Sequence, residues 1–461
     1  MASTFQADIA VTVGAQSAIF TALYAFANPG DEVLIVTPSF DASFKSAAVM
    51  GVDLKAVNMR HTPRTTEEDC STSSSWTLNP ADLRAALTPK TRVLMLNTPN
   101  SPTGKVFSRE ELTSVADVVA DFPGLLVFSD EVYDKMVFPT VASPPGSGFD
   151  CDPDYDPNQC NQHVHFASLP GMWERTFSVF SAGKTFSCTG WRIGFVIAPP
   201  ALAVPLADAH TAMNFGAATP LQKACAGAFE AAERPMAGEA AGADGQPPTY
   251  YEWLPRMLRA KRDKLCTVLQ KAGLTPVVPE GGYFVLADSA VIHARSGIPM
   301  DSGHTAASPL ADRPDVKACK WMTEHVGVTP LPCSPFYLPE SRHLADGMVR
   351  FCFAKDDATL DLAAERLLEW AATAADTMPG DRLFLLVQKY QPALAPRIIA
   401  MLLKIDEEDE SMGGSKMQNL LEEDSEALRL ALKVEEGDDA SSVVNRLYQE
   451  SIHRRIRRMR L

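Results

Sequence analysis

At 461 residues, 46% of them hydrophobic and 21% charged, the chain is long enough to bury two or three cores, so several domains are expected. Its net charge of −15 argues against a general nucleic-acid binder, because neutralising phosphates needs a basic excess; only the run His453 to Arg460 is basic, and residues 451–461 read as a solvated tail. Nine scattered cysteines, an odd number without CxxC spacing, fit a reducing compartment, and no metal ligand set is expected. The first residues lack a basic stretch followed by an apolar one, and no apolar run is long enough to cross a bilayer. A soluble, cytoplasmic protein with no membrane or direct nucleic-acid partner is the expectation.

Near the start, Val13-Gly14-Ala15-Gln16-Ser17 opens a helix whose free amides, at Ala15 and Gln16, could hold a phosphate. Short β-rich runs then alternate with helical stretches, at Val33–Val36, Val93–Leu96, Leu125–Phe128 and Thr176–Phe180. Apolar strands separated by amphipathic helices indicate an α/β domain with a largely parallel sheet, buried on both faces. Open sheets of this kind form sites at the C-terminal ends of strands. Asn97, Asp130, Ser181 and Lys184 all fall there. Residues 139–165, 233–249 and 292–311 read as long surface connectors. A helix over 250–272 leads into a smaller α+β portion, with strands at 282–286 and 348–353 and a closing helix from Asp357 to about Ala375. Composition shifts at Met378-Pro379-Gly380, and beyond it apolar residues recur at helical spacing, as in a short all-helical domain.

The stretch Ser178 to Phe195 places Lys184 between small residues, with a hydroxyl at Ser181 and a guanidinium at Arg192. These are the parts of a covalent imine beside a phosphate clamp. A single lysine after a strand is ordinarily just solvated, so the weight comes from what lies upstream. Asp130 stands at a strand end with Tyr133 shortly after it: a carboxylate can keep a pyridine nitrogen protonated, and a phenol can hydrogen-bond a ring oxygen. The turn Asn97 to Lys105 supplies further polar groups, Ser101 among them, and Phe40 could stack on a ring face. Arg350, in the strand-like run Met348 to Phe353, suits bidentate carboxylate binding, with a surface ion pair as its alternative.

With those motifs in place, residues about 9 to 375 resemble the fold-type I, class I/II aminotransferases, and within them the kynurenine aminotransferase / cysteine-conjugate β-lyase branch. The resemblance rests on Asn97–Lys105, Ser129–Tyr133, Ser181–Arg192 and Arg350–Asp357, supported by Ala167–Thr176. It implies pyridoxal 5'-phosphate bound as an imine at Lys184, which also shuttles the proton at the substrate α-carbon. Asp130 would pair with the pyridinium, Tyr133 with O3′, Ser181 and Arg192 with the phosphate, and Arg350 with the substrate α-carboxylate. It further implies a homodimer acting on an aromatic or sulfur-containing amino acid, such as kynurenine or glutamine, and a 2-oxo acid, with β-elimination on cysteine S-conjugates as a side activity. The large cofactor domain would span 1–249, lacking a segment the family carries ahead of this start, and the small domain 250–377. Ser101 stands where the family has an asparagine contacting cofactor and substrate, and Gln16 where this branch has a pocket aromatic. Weak turnover is expected from these departures, with a scaffold carrying the C-terminal module as the alternative.

That module, at 380–450, resembles the C-terminal peptide-binding domain of poly(A)-binding protein, named for its Met-Leu-Leu-Glu signature; here it reads Met401-Leu402-Leu403-Lys404. The resemblance implies that grooves at Phe384, Met401 and Leu402 accept short disordered peptides. The same residues would also serve simply as the core of a small bundle.

Overall fold

The computed structural model describes residues 8–62, 71–138, 163–238, 247–300 and 305–376, and structural statements below concern these. The expected helical module, with Phe384, Met401 and Leu402, and the basic tail lie outside the described residues.

The chain opens with β1 (Ile9–Thr12), α1 (Gly14–Phe26), β2 (Glu32–Thr37), α2 (Ala42–Met50) and β3 (Asp53–Asn58). A two-residue pair, β4 (Arg60–His61) and β5 (Trp76–Thr77), precedes α3 (Pro80–Ala86), β6 (Thr91–Asn97), α4 (Arg109–Ala120) and β7 (Leu126–Asp130). Then come β8 (Thr176–Ser181), the single turn α5 (Ala182–Thr185), β9 (Gly194–Ile197), α6 (Pro200–Asn214) and α7 (Thr219–Ala232). The remainder comprises α8 (Tyr250–Lys271), β10 (Thr275–Val277), β11 (Phe284–Asp288), α9 (Ala290–Ser296), α10 (Pro314–His325), β12 (Leu331–Pro332), β13 (Met348–Cys352) and α11 (Asp357–Asp376).

Seven strands form one sheet in the order β1-β9-β8-β7-β6-β2-β3. The expected parallel arrangement holds for β2, β3, β6, β7 and β8, whereas β9 runs antiparallel to both its neighbours, making the sheet mixed. The reason is the short link from β8: residues 182–193 fold as one helical turn and a 3-10 turn, with Ser187 and Arg192 at positive φ, and so reverse the chain without a full crossover helix. β2 is buried at every position, as a strand covered on both faces requires.

The second sheet, β10-β11-β13-β12, is antiparallel throughout. Its core continues into the first sheet's site, because Val132, Tyr133, Met136 and Phe138 pack in one apolar cluster with Leu258, Leu269, Val285, Phe351 and Leu367. α8 starts at a capping box between Thr249 and Glu252, which satisfies amides of its first turn. The connector expected over 292–311 is helical at its start: Ala290, Val291, Ile292 and His293 are buried, and Gly297 at φ 70 ends the turn. Seven residues are too few for the apolar period to show in sequence.

Gly104 ties the two halves together. Its carbonyl accepts from Ser73 Oγ and from the amides of Glu280 and Gly281 at 2.9–3.0 Å, and a Cβ on it would lie 2.2 Å from Pro279 Cβ. Its φ of +71 is also one that side-chain-bearing residues avoid. Gly104→Ala should therefore destabilise the protein by about 1–3 kcal/mol, read as a lower urea midpoint. An unchanged midpoint would show that the turn accommodates a methyl group.

Candidate active site

Three strands of the large sheet, β6, β7 and β8, end at one edge and deliver side chains there. Asp130 is the last residue of β7 and lies opposite Asn97, the last residue of β6. The Asn97 amide donates to the Asp130 carbonyl at 2.9 Å, while its oxygen accepts from the Ser101 N–H at 2.6 Å. One planar side chain thus fixes the turn carrying Ser101 to the strand end carrying Asp130. Further along the edge, Ser181 closes β8 and Lys184 sits two residues into α5.

Lys184 Nζ donates to the Tyr283 hydroxyl at 2.8 Å and lies 5.8 Å from the Tyr133 ring centroid. Tyr133 and Tyr283 meet edge to face at 5.2 Å. Burial pushes the Tyr133 phenol well above its ordinary range, with Tyr283 and the Asp130 charge adding to the shift, so it is a hydrogen-bond donor at neutral pH. The Asp130 side chain is partly buried at the strand end. Burial raises its pKa to about 6, against the opposing effects of the Val132 N–H and the Lys184 charge.

Arg350 arrives from β13 of the second sheet and is 8% exposed. It lies 3.8 Å from the Phe284 ring centroid and 4.6 Å from that of Phe336, and Nη1 reaches Ser101 Oγ at 3.5 Å. No carboxylate pairs with it among the described residues, its Nε has no hydrogen-bond partner, and burial lowers its pKa. The surface ion pair that sequence left open is not what forms. A buried guanidinium without a carboxylate is a receptor for one from outside, since leaving it uncompensated costs several kcal/mol.

A second group gathers at the start of α1. Ser181 and Gly194 are register partners across β8 and β9, and a Cβ at Gly194 would lie 2.6 Å from the Ala15 nitrogen. A Cβ at Gly14 would lie 2.6 Å from Arg192 Nη2. Two glycines therefore let the helix N-terminus, Ser181 and an exposed Arg192 close on one spot. Gln16 is exposed on the first turn of α1. Phe40 is 42% exposed beyond β2, beside Ser39, whose N–H donates to the Phe336 carbonyl at 2.9 Å.

Sequence reasoning missed Tyr283, Phe284 and Phe336 as site residues. The signal for the first two was Gly281-Gly282 ahead of them. A Cβ at Gly281 would lie 2.8 Å from Pro99 Cβ and 3.0 Å from the Met136 carbonyl, so the glycines mark a close backbone approach rather than a strand start. Phe336 carried no local signal.

These groups fit a phosphorylated pyridine aldehyde. A partly buried carboxylate whose pKa burial raises calls for a cation such as a pyridinium, a lysine stands within its field, and an arginine and a helix N-terminus converge on a glycine-lined spot. The site is thus that of a pyridoxal-phosphate enzyme. Residues 2–367 match the family of class I and II aminotransferases, and the chain belongs to it: it is a pyridoxal-phosphate-dependent aminotransferase of fold type I. It is 37% identical over 364 residues to kynurenine–oxoglutarate transaminase 1 of Mus musculus, covering 79% of this chain and 77% of that one. It is 36% identical over 366 residues to kynurenine–oxoglutarate transaminase of Dictyostelium discoideum, covering 78% and 76%. Among solved structures, Bna3p of Saccharomyces cerevisiae superposes with a TM-score of 0.66 at 29% identity, over 79% of this chain and 77% of that one.

Asp130 gives a pH signature in the cofactor-free protein. Its folded pKa of about 6 exceeds the ordinary carboxylate value of 3.8, so the folded state binds more proton between those values and loses stability as pH rises through them. Asp130→Asn should make the cofactor-free protein more stable at pH 7, by up to roughly 3 kcal/mol, and the gain should vanish below about pH 4. Urea titrations of both proteins at pH 4 and 7 check this; an asparagine variant no more stable at pH 7 would refute the raised pKa.

Proposed function

We propose that this aminotransferase takes its amino group from an aromatic or sulfur-containing L-amino acid, of the kynurenine and glutamine type, and passes it to a 2-oxo acid. The observation that carries the reading is the buried Arg350, unpaired with any carboxylate among the described residues and walled by Phe284 and Phe336. It would grip the α-carboxylate in a two-point contact while the rings offer apolar surface to a large side chain. The kynurenine–oxoglutarate transaminases among the relatives support the same donor class.

Pyridoxal phosphate, when bound, supplies an electron sink for the bond cleaved at the substrate α-carbon. Lys184 would hold the cofactor covalently and, once released from it, carry the α-proton on Nζ, steadied by the Tyr283 hydroxyl. Asp130 would keep the proton on the ring nitrogen, its own charge favoured again by that cation. Tyr133 would donate to the ring oxygen. Ser181, Arg192 and the amides of Ala15 and Gln16 would bind the phosphate, and Phe40 would cover the ring face. Ser101 would add a hydroxyl donor near the substrate carboxylate. β-Elimination on cysteine S-conjugates would be a side activity, because the same proton removal also expels a good leaving group.

The domain division at 249/250, a homodimeric state and a cytoplasmic location belong to the same proposal. Lys184→Ala should abolish amino transfer from L-kynurenine to 2-oxoglutarate, and borohydride reduction of the wild-type protein should fix the pyridoxyl group to the Lys184 peptide alone. A pyridoxyl group mapped to another lysine, or full transfer by the alanine variant, would overturn the assignment.

For residues 380–450 we propose a helical peptide-binding module with anchor grooves at Phe384, Met401 and Leu402. Its support is the spacing of Leu383, Leu386, Val387 and Tyr390 against Ile398, Met401, Leu402 and Ile405. Lys404 should favour acidic flanks. Calorimetric titration of the full chain with a peptide carrying leucine and aromatic anchors should show affinity of about micromolar order, stronger with acidic than with basic flanks. No heat from either peptide would refute the groove.

A further inference from the structure

Glu131 follows Asp130 directly and has no part in the cleft just described. Its side chain is fully buried, and its two oxygens have separate surroundings. Oε1 accepts from Ser129 Oγ at 2.8 Å and from Ser178 Oγ at 3.3 Å. Oε2 faces two imidazoles, His163 Nε2 at 2.8 Å and His165 Nδ1, which makes an even shorter contact. The two histidines come from a His-x-His segment upstream of β8, and both rings reach the same carboxylate oxygen. Their rings meet edge to face at 4.7 Å. The three ligand-capable atoms lie within 4.8 Å of one another, and among the described residues no other group of three or more His, Cys, Asp or Glu side chains converges in this way.

We propose that Glu131, His163 and His165 form a binding site for one divalent transition-metal ion of the zinc type. Two imidazole nitrogens and one carboxylate oxygen are the donor set of three-ligand zinc sites, with bonds of about 2.0–2.2 Å. The two nitrogens now stand at hydrogen-bond distance from Oε2, so seating an ion among the three atoms would need the imidazoles to draw back from that oxygen. The ion takes the lone pairs of His163 Nε2 and His165 Nδ1; a proton on either nitrogen is lost to solvent from an imidazolium or moves to the ring's other nitrogen, so that each ring binds as the neutral imidazole. Ser129 and Ser178 already do what outer-shell donors do, holding the carboxylate by its other oxygen so that Oε2 is aimed. The only ion-pair partners of Glu131 among the described residues are these two imidazoles, so an ion in their place gives the buried carboxylate a full counter-charge. The His165 side chain is 44% exposed, which provides an entry path and an open fourth position for water. The site pins the 163–165 segment to the ends of β7 and β8 beside the cofactor cleft, and it is independent of the donor specificity proposed above.

The test uses the full chain loaded with pyridoxal phosphate, treated with a chelator, desalted and dialysed against zinc chloride, with bound metal measured by mass spectrometry. The wild type should bind one zinc per chain and melt at a higher temperature with zinc present, because an ion that binds only the folded state stabilises it. His165→Ala, at a half-exposed position and checked for folding by circular dichroism, should weaken zinc binding at least about tenfold and lose the thermal shift. Glu131→Gln should do the same. No stoichiometric zinc on the wild type would overturn the site, and so would zinc retained with unchanged affinity by His165→Ala, which would place the ion elsewhere, on cysteines for example.

Discussion

Asp130, partly buried, and Arg350, buried, are opposite charges lining one cleft, and among the described residues they do not pair with each other. Both act on Tyr133, whose phenol the aspartate charge pushes up and the arginine charge pulls down. Had they met, each would have neutralised the other, and neither would call for a ligand. Held apart, each keeps an unmet electrostatic demand: the carboxylate for a cation, the guanidinium for a carboxylate. Burying the unpaired Arg350 charge costs several kcal/mol, and the cleft stores that cost until a carboxylate arrives.

The rest of the fold serves that separation. Asp130 is fixed by its place at the end of β7 and by the Asn97 amide, which also fixes Ser101. Arg350 is fixed by a different sheet, through pairing of β13 with β11 and packing between Phe284 and Phe336. The sheets meet where Gly104 and Gly281 allow backbones to approach, which places Tyr283 over Lys184. Reversal of the chain between β8 and β9 brings Arg192 back to the start of α1, at some distance in sequence from any residue it serves there.

Glu131 shows how one strand end can serve two chemistries. Adjacent residues in extended chain point to opposite sides, so Asp130 enters the cofactor cleft while Glu131 meets Ser129, Ser178 and two histidines. His163 and His165 end a stretch that reads in sequence as a long connector, and it is the tertiary fold that sets them against Glu131 after β7.

Sequence alone determined what is local. The strands, their C-terminal ends, the opening of α1 and the motif around Lys184 all follow from short-range patterns of apolar spacing, glycine and small residues, and each was legible within a window of about ten to twenty residues. The tertiary structure decided what depends on distant contacts. It turned β9 antiparallel, because residues 182–193 reverse the chain with one helical turn and two left-handed residues instead of a crossover helix. It made residues 290–296 a helix too short to show a period. It buried Arg350 without a carboxylate, which sequence could not separate from a surface ion pair, and it supplied Tyr283 and Phe336 to the cleft from beyond any local pattern. Local propensity is written in neighbouring residues; whether a charge is paired depends on which groups the fold brings to it, and only packing settles that.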